Sequence, residues 1–347
     1  MRLHERVVRR GVFPRVLRAF VSQALLSLTL TLPLTVSHAH ADAGPAVPAQ
    51  PIAAEWFEQG QIAAIGGLFG EALQLFRKAA AEGSLPALSA IGDLHERGLG
   101  VARSERDALT WYRKAAASGD AEGRARLGLA LARGASAGDL RSGVALIRQS
   151  VAQGNAFGQY ALGRLYLEGR GVLRDESMAA TLFESAASRG EAAAQSILGH
   201  MYLDGQGVQT HAGMAVILLT EAARQGHVPA QRRLGALFLE GWGVEADEPE
   251  SAYWLEKAAE SGDAEAVARL GLLLLNARQM RTDPVKAVDL LRQAAQAGNA
   301  LAQFHLGLCL LEGRGVPQDS AQGMTLVRQS ARLGHDDAKT YLRELPQ

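Results

Sequence analysis

The sequence predicts an all-α fold, a right-handed superhelical solenoid of helical-hairpin repeats. Three observations predict it. Leu/Ile-Gly pairs recur as Ile91-Gly92, Leu127-Gly128, Leu162-Gly163, Leu198-Gly199, Leu234-Gly235, Leu270-Gly271 and Leu306-Gly307, 36 residues apart with one gap of 35. A second ladder keeps the same step: a glycine that follows two small residues, at Gly83, Gly119, Gly154, Gly190, Gly226, Gly262, Gly298 and Gly334. Self-similarity at such a period marks a stack of supersecondary units. The 347 residues are 48% hydrophobic but only 5% aromatic, so alanine and leucine must fill the core, which suits helices that approach closely.

Residues 1–41 read as an export signal. An arginine-rich stretch precedes an apolar run from about Phe20 to Val36, and Ala39-His40-Ala41 is a small-x-small cleavage site that would leave Asp42 first. An uncleaved anchor is the alternative, but the run is short and Pro33 interrupts it. Arg9-Arg10-Gly11-Val12-Phe13 faintly resembles a twin-arginine motif; its surroundings depart from that pattern and point to Sec export. The expected location is periplasmic or secreted. Cleavage removes six of 36 basic and one of 36 acidic residues, leaving 30 against 35, a net charge of −5. That balance disfavours nucleic acid, whose binding rests on neutralising phosphates. With Cys309 as the only cysteine no intramolecular disulfide can form, so stability must come from packing. No membrane insertion is expected after signal removal.

Residues 42–51 are expected to be a flexible N-terminal segment. Residues 52–83 show only the second half of a unit, Glu71-Ala72-Leu73 and Phe76-Arg77-Lys78-Ala79-Ala80, and read as a degenerate N-terminal capping repeat. Seven repeats follow over 84–335. In Ala192–His227 a helical stretch runs through Leu203, turns at Gly205-Gln206-Gly207-Val208, and a second runs from about His211 to Arg224. The turn glycines permit positive φ, and Gly226 sits where a helix end needs a left-handed residue. Asp247, Asp283 and Asp319 mark helix starts, Asp283 being followed by Pro284 at the first helical position. Seven glycines inside first helices, each costing about 1 kcal/mol against alanine, require close helix contact as compensation. Two units depart: that from Asp120 lacks the Gly-x-Gly-Val loop, and that from Asp263 replaces the loop glycines with Ala277 and Gln279. A capping helix is expected within 336–347.

The pattern Ala-x-x-x-Leu-Gly-x-x-Tyr-x-x-Gly-x-Gly-Val, then an acid, an aromatic pair, Lys-Ala-Ala and glycine, resembles the Sel1-like repeat, a tetratricopeptide-like family. Ala230, Leu234-Gly235, Phe238, Gly241, Gly243-Val244, Asp247, Trp254, Lys257-Ala258-Ala259 and Gly262 carry it most fully. The resemblance implies an interaction protein: exported bacterial members generally act as adaptors, regulators of envelope signalling or scaffolds of envelope assemblies. One branch is associated with binding or hydrolysis of β-lactams, but its repeats carry cysteine pairs that this chain lacks.

No catalytic constellation stands out. The six histidines beyond residue 41 (His95, His200, His211, His227, His305, His335) show no i, i+4 pair and no His-Glu-x-x-His. His227 and His335 follow closing glycines and read as polar caps. Gly205-Gln206-Gly207 lacks the third glycine and the lysine of a phosphate loop. Glu168, Asp204, Glu240 and Glu312 recur at one helix end and read as a solvated row. Cys309 takes a leucine position and reads as buried and inert. No catalytic residue, cofactor or metal is therefore expected. What varies is the set of positions flanking the Leu-Gly pair: Tyr160, Arg232 and Phe304 three before the glycine, Arg233, Arg269 and His305 two before, Arg164 and His200 one after. Positions three before and one after share a helix face. In related solenoids first helices line the concave side, so these eight residues are the expected protein-binding patch; the alternative is an ordinary solvated face. The chain is read as an adaptor or regulator holding a protein or peptide partner. Alternatives are an enzyme or binder acting on cell wall or β-lactams, and a scaffold for polysaccharide or secretion assemblies.

Overall fold

The computed structural model describes residues 50–134 and 136–344. The export signal read over 1–41 lies outside the described residues, as does all of 42–51 except its last two residues, which begin the first helix. Among the described residues there are helices and no strands: α1 (Gln50–Ile65), α2 (Phe69–Ala81), α3 (Leu85–Arg97), α4 (Glu105–Ala117), α5 (Ala121–Arg133), α6 (Ala137–Ala152), α7 (Ala156–Glu168), α8 (Glu176–Ser188), α9 (Ala192–Asp204), α10 (Ala212–Arg224), α11 (Val228–Glu240), α12 (Glu248–Glu260), α13 (Ala264–Asn276), α14 (Pro284–Gln296), α15 (Ala300–Glu312), α16 (Ser320–Arg332) and α17 (Asp336–Glu344). None of them is long and apolar enough to cross a membrane.

Local chemistry sets the boundaries. Asp247, Asp283 and Asp319 each accept a hydrogen bond from the backbone N–H three residues on, at 3.0, 3.0 and 2.9 Å, which satisfies one of the orphan donors of a helix start. His227 and His335 do the same through Nδ1, at 3.3 and 3.4 Å, and His211 at 3.1 Å. Gly226 ends its hairpin at φ 82° with open space where a Cβ would stand, so backbone conformation alone demands glycine there.

The glycines inside first helices have the opposite explanation, because their φ values are helical and space is what runs out. A Cβ on Gly199 would lie 2.8 Å from Leu219 Cγ, and one on Gly235 2.7 Å from Leu255 Cγ. Each first helix is thus pressed onto the second helix of its own hairpin. Hairpins then stack through alanine: Ala79, Ala115, Ala186, Ala222 and Ala258 are all buried, as are Ala87, Ala161, Ala194, Ala230, Ala266 and Ala302 on the first helices. No hairpin could hide both faces alone, and its neighbours cover what it cannot.

The Gly-x-Gly loop locks the stack. Gly207 has φ 69°, and its missing side chain lets the loop rest on the first turn of α8, where a Cβ would lie 2.5 Å from the Glu176 carbonyl carbon. The two departing units build their loops differently. Gly134 and Ala277 have φ −63° and −55° where Gly205 has 71°. Gln279 N–H donates to the Glu248 carboxylate at 2.7 Å, and Gln279 Oε1 accepts from Glu248 N–H at 3.1 Å, so side chains replace the tight backbone approach. In the loop following each departure an arginine reaches back: Arg170 to the Gly134 carbonyl and Arg314 to the Leu275 carbonyl.

First helices also touch one another directly, α3 with α5, α5 with α7 and α13 with α15, to an extent that no pair of successive second helices does. Over α3, α5 and α7, and again over α13 and α15, the first helices therefore line the shorter, inner side of the stack.

Candidate binding face

Arg126 on α5 organises the N-terminal part of that inner side. Its guanidinium bonds Asp93 of α3 at 2.8 Å and Glu122 of its own helix at 2.7 Å, and lies 4.5 Å from the Phe157 ring centre on α7. One side chain thereby joins three hairpins. Burial opposes its charge, but the Asp93 and Glu122 carboxylates outweigh that and hold it firmly protonated. Beside it, Tyr112 of α4 donates to Glu96 at 2.7 Å, and Arg133 reaches the other oxygen of Glu96 at 2.9 Å. Burial raises the Glu96 pKa while these two bonds lower it, and the net shift is downward; burial pushes Tyr112 up. A groove of about 230 Å³ runs over this cluster, lined among others by Arg97, Arg126, Arg133, Phe157, Tyr160 and Arg164.

The eight residues singled out from the sequence fall into different settings. Tyr160 and Arg164 share that groove: the Tyr160 ring centre is 5.5 Å from Phe157 and 6.2 Å from Phe183, and Arg164 pairs with Glu168 at 2.8 Å. His200 is half-buried, its Nδ1 2.8 Å from the Ser196 carbonyl oxygen. Arg232 pairs with Asp263, the residue that starts α13, at 2.7 Å, and Arg269 pairs with Glu265 at 2.9 Å. Arg233 lies 5.7 Å from the Trp242 ring centre and makes no ion pair among the described residues. Phe304 is only 6% exposed. It packs with Val327 and Ala338, its ring centre 5.2 Å from that of His335 and 6.2 Å from that of Tyr341. Phe304 thus belongs to the C-terminal core, because α17 occupies the place a further first helix would take. His305 beside it is half-buried; burial lowers its pKa, and nearby His335 adds to the effect.

Arg126, Asp93, Glu96, Arg133 and Phe157 were not singled out by the sequence reading. A signal for two of them existed, since Arg126 stands two before Gly128 and Asp93 one after Gly92, the registers that hold Arg233 and Arg164. Cys309 is buried among Leu274, Leu306 and Leu310. Among the described residues no group of three or more His, Cys, Asp or Glu could hold a metal ion.

Stacked hairpins with an inner face of chemically variable first helices define a solenoid of the tetratricopeptide-like class. The Sel1 repeat model matches residues 53–84, 85–120, 156–191, 192–227, 228–263, 264–299 and 300–335, and the chain belongs to the Sel1 repeat family. The matches include the first hairpin, read from the sequence as degenerate, and leave out 121–155, which folds as a hairpin all the same. Among solved structures, the chain is similar to a protective antigen of uropathogenic Escherichia coli displaying an SLR fold, at 28% identity and TM-score 0.61, covering 87% of this chain and 68% of that one. It is also similar to a Sel1 repeat protein from Oxalobacter formigenes, at 31% identity and TM-score 0.58, covering 62% of this chain and 84% of that one. No curated protein matches.

Proposed function

We infer that this chain is an adaptor that holds a protein or peptide partner on the inner face of its first helices, outside the cytoplasm. Sel1 repeat solenoids typically serve protein–protein interaction and are generally non-enzymatic scaffolds. The observation that carries the reading is the groove over α3, α5 and α7, where arginines and aromatic rings stand on rigid helices with one another's support. Arginine and tyrosine combine large contact area with directed hydrogen bonds and little entropy left to lose, which suits recognition. The export reading rests on the charge and hydropathy pattern of residues 1–41.

The test is capture of a crosslinked partner from envelope extract by the mature protein, repeated with Tyr160→Ala and Arg164→Ala combined. Loss of one specific partner with the helical circular dichroism spectrum retained supports the reading. Unchanged capture removes this face from consideration. Export is tested separately by fractionating cells that express the full chain and sequencing the mature N-terminus, with Asp42 expected first.

A further inference from the structure

Arg233 is the exception among the arginines at the positions flanking the Leu-Gly pair. Arg126, Arg164, Arg232 and Arg269 each have a carboxylate within ion-pairing distance, at 2.7 to 2.9 Å, whereas Arg233 has none among the described residues. Glu240, the nearest acid in sequence, does not pair with it, and its buried Nε–H has no acceptor among the described residues. Enclosing a charged donor without an acceptor is costly, so native structures usually supply one. Trp242 sits 5.7 Å from this guanidinium at the tip of the loop after α11 and is 42% exposed, and Leu239, three residues before it, is 44% exposed. An indole this open over an unpaired guanidinium is an apolar platform beside an unspent positive charge. The cation–π contact with the ring also favours one placement of the planar fork, so less freedom is lost when it grips a carboxylate.

We propose that Arg233 and Trp242 form a specificity site for an acidic side chain flanked by a large apolar one, within an extended stretch of a partner polypeptide. Charge complementarity selects the carboxylate. Arg232 pairs with Asp263 and Arg269 with Glu265, and among the described residues Arg233 is the cation left over. The register selects an internal segment over a chain end: the position two before the glycine continues to Ile197 on α9 and to Arg269 on α13, so a bound chain would have helix surface on both sides of Arg233. This inference rests on the inner-face reading above and names the chemistry of the partner at one point of that face.

The experiment uses the mature protein and a probe peptide carrying phenylalanine, glutamate and leucine in succession between glycines, labelled with fluorescein at its N-terminus and amidated at its C-terminus. Binding is read by anisotropy. Its place is read from the Trp242 indole N–H resonance, assigned with Trp242→Phe. The expected result is a saturable shift of that resonance and a loss of affinity of about tenfold or more when glutamine replaces the probe's glutamate, or in Arg233→Gln. Trp242→Ala, a change at an exposed loop tip, should weaken binding equally while leaving the melting curve unchanged, which guards against misfolding of Arg233→Gln. Equal binding of the glutamate and glutamine probes overturns the proposal, as does a silent indole resonance. Preference for a counterpart with a free C-terminal carboxylate over the amidated probe overturns the choice of an internal acid. If the probe shifts signals of Tyr160 and Arg164 but not Trp242, the inner-face reading stands and the Arg233 site falls.

Discussion

A Cβ on Gly128 would stand 2.6 Å from the carbonyl oxygen of Gly143, so α5 and α6 meet backbone to backbone. Opposite Gly199 the nearest atom is Leu219 Cγ at 2.8 Å, and the nearest backbone atom, the Ala215 carbonyl oxygen, stands 3.3 Å away. Gly128→Ala should therefore cost more than Gly199→Ala. Overpacking costs about 1–3 kcal/mol, and the better helix propensity of alanine returns about 1 kcal/mol. Urea denaturation of both variants checks the order; a larger loss for Gly199→Ala would contradict the backbone contact.

Arg126→Gln should destabilise the N-terminal hairpins. The Arg126 side chain is 17% exposed and joins Asp93 to Glu122, so its removal leaves part-buried Asp93 with only the longer, more exposed pairing to Arg97 at 3.3 Å. The loss should be about 2–3 kcal/mol, below the range for a fully buried pair because both acids keep some contact with water. Amide exchange in α3 and α5 should quicken while α13 to α16 stay unchanged. A uniform change along the chain would mean that the effect is not local.

His227 should make stability fall in mild acid. Burial, with His200 adding to it, lowers the His227 pKa below the ordinary 6.5, so the unfolded chain takes up a proton at higher pH than the folded one. Its share of stability is full above about pH 6.5 and is lost as pH falls through the lowered folded value. Protonation at Nδ1 would also remove the acceptor for the Ala230 N–H. Replacing His227 with asparagine, which caps without titrating, should flatten the difference in melting temperature between about pH 7 and pH 5. An identical pH profile for both proteins would refute this.

Glu248→Ala should loosen the loop that lacks its glycines. The Glu248 carboxylate accepts from the Arg278 and Gln279 N–H groups, at 2.8 and 2.7 Å. The expected loss is about 1 kcal/mol, since water can reach the freed groups. Faster exchange at those two amides is the specific sign. Their unchanged protection would show that the loop stands without the carboxylate.

Most of the fold was legible in the residues because its signals are local. The Leu-Gly and closing-glycine ladders, the capping acids and the paired loop glycines each act within a few residues, and α9 and α10 fall within a residue of where the pattern of Ala192–His227 puts them. The hidden place of Phe304 was not legible. Its register matches Tyr160, and only the seating of α17 over α15 and α16 separates the two. The Arg126 network was legible in part, as a register, but not as a set of partners.

By itself the sequence determined the repeat, its period, the helix limits of a representative unit, several helix starts and the points where the pattern breaks, since hydrogen bonds and backbone conformation over a turn or two decide all of these. Tertiary structure alone decided which variable residues are spent on one another and which are left open. Asp93 and Arg126 are 33 residues apart, Arg232 and Asp263 31, and Arg233 finds no such partner among the described residues. Whether two side chains one repeat apart meet depends on how each hairpin turns against the next, and that angle is set by packing of the whole interface.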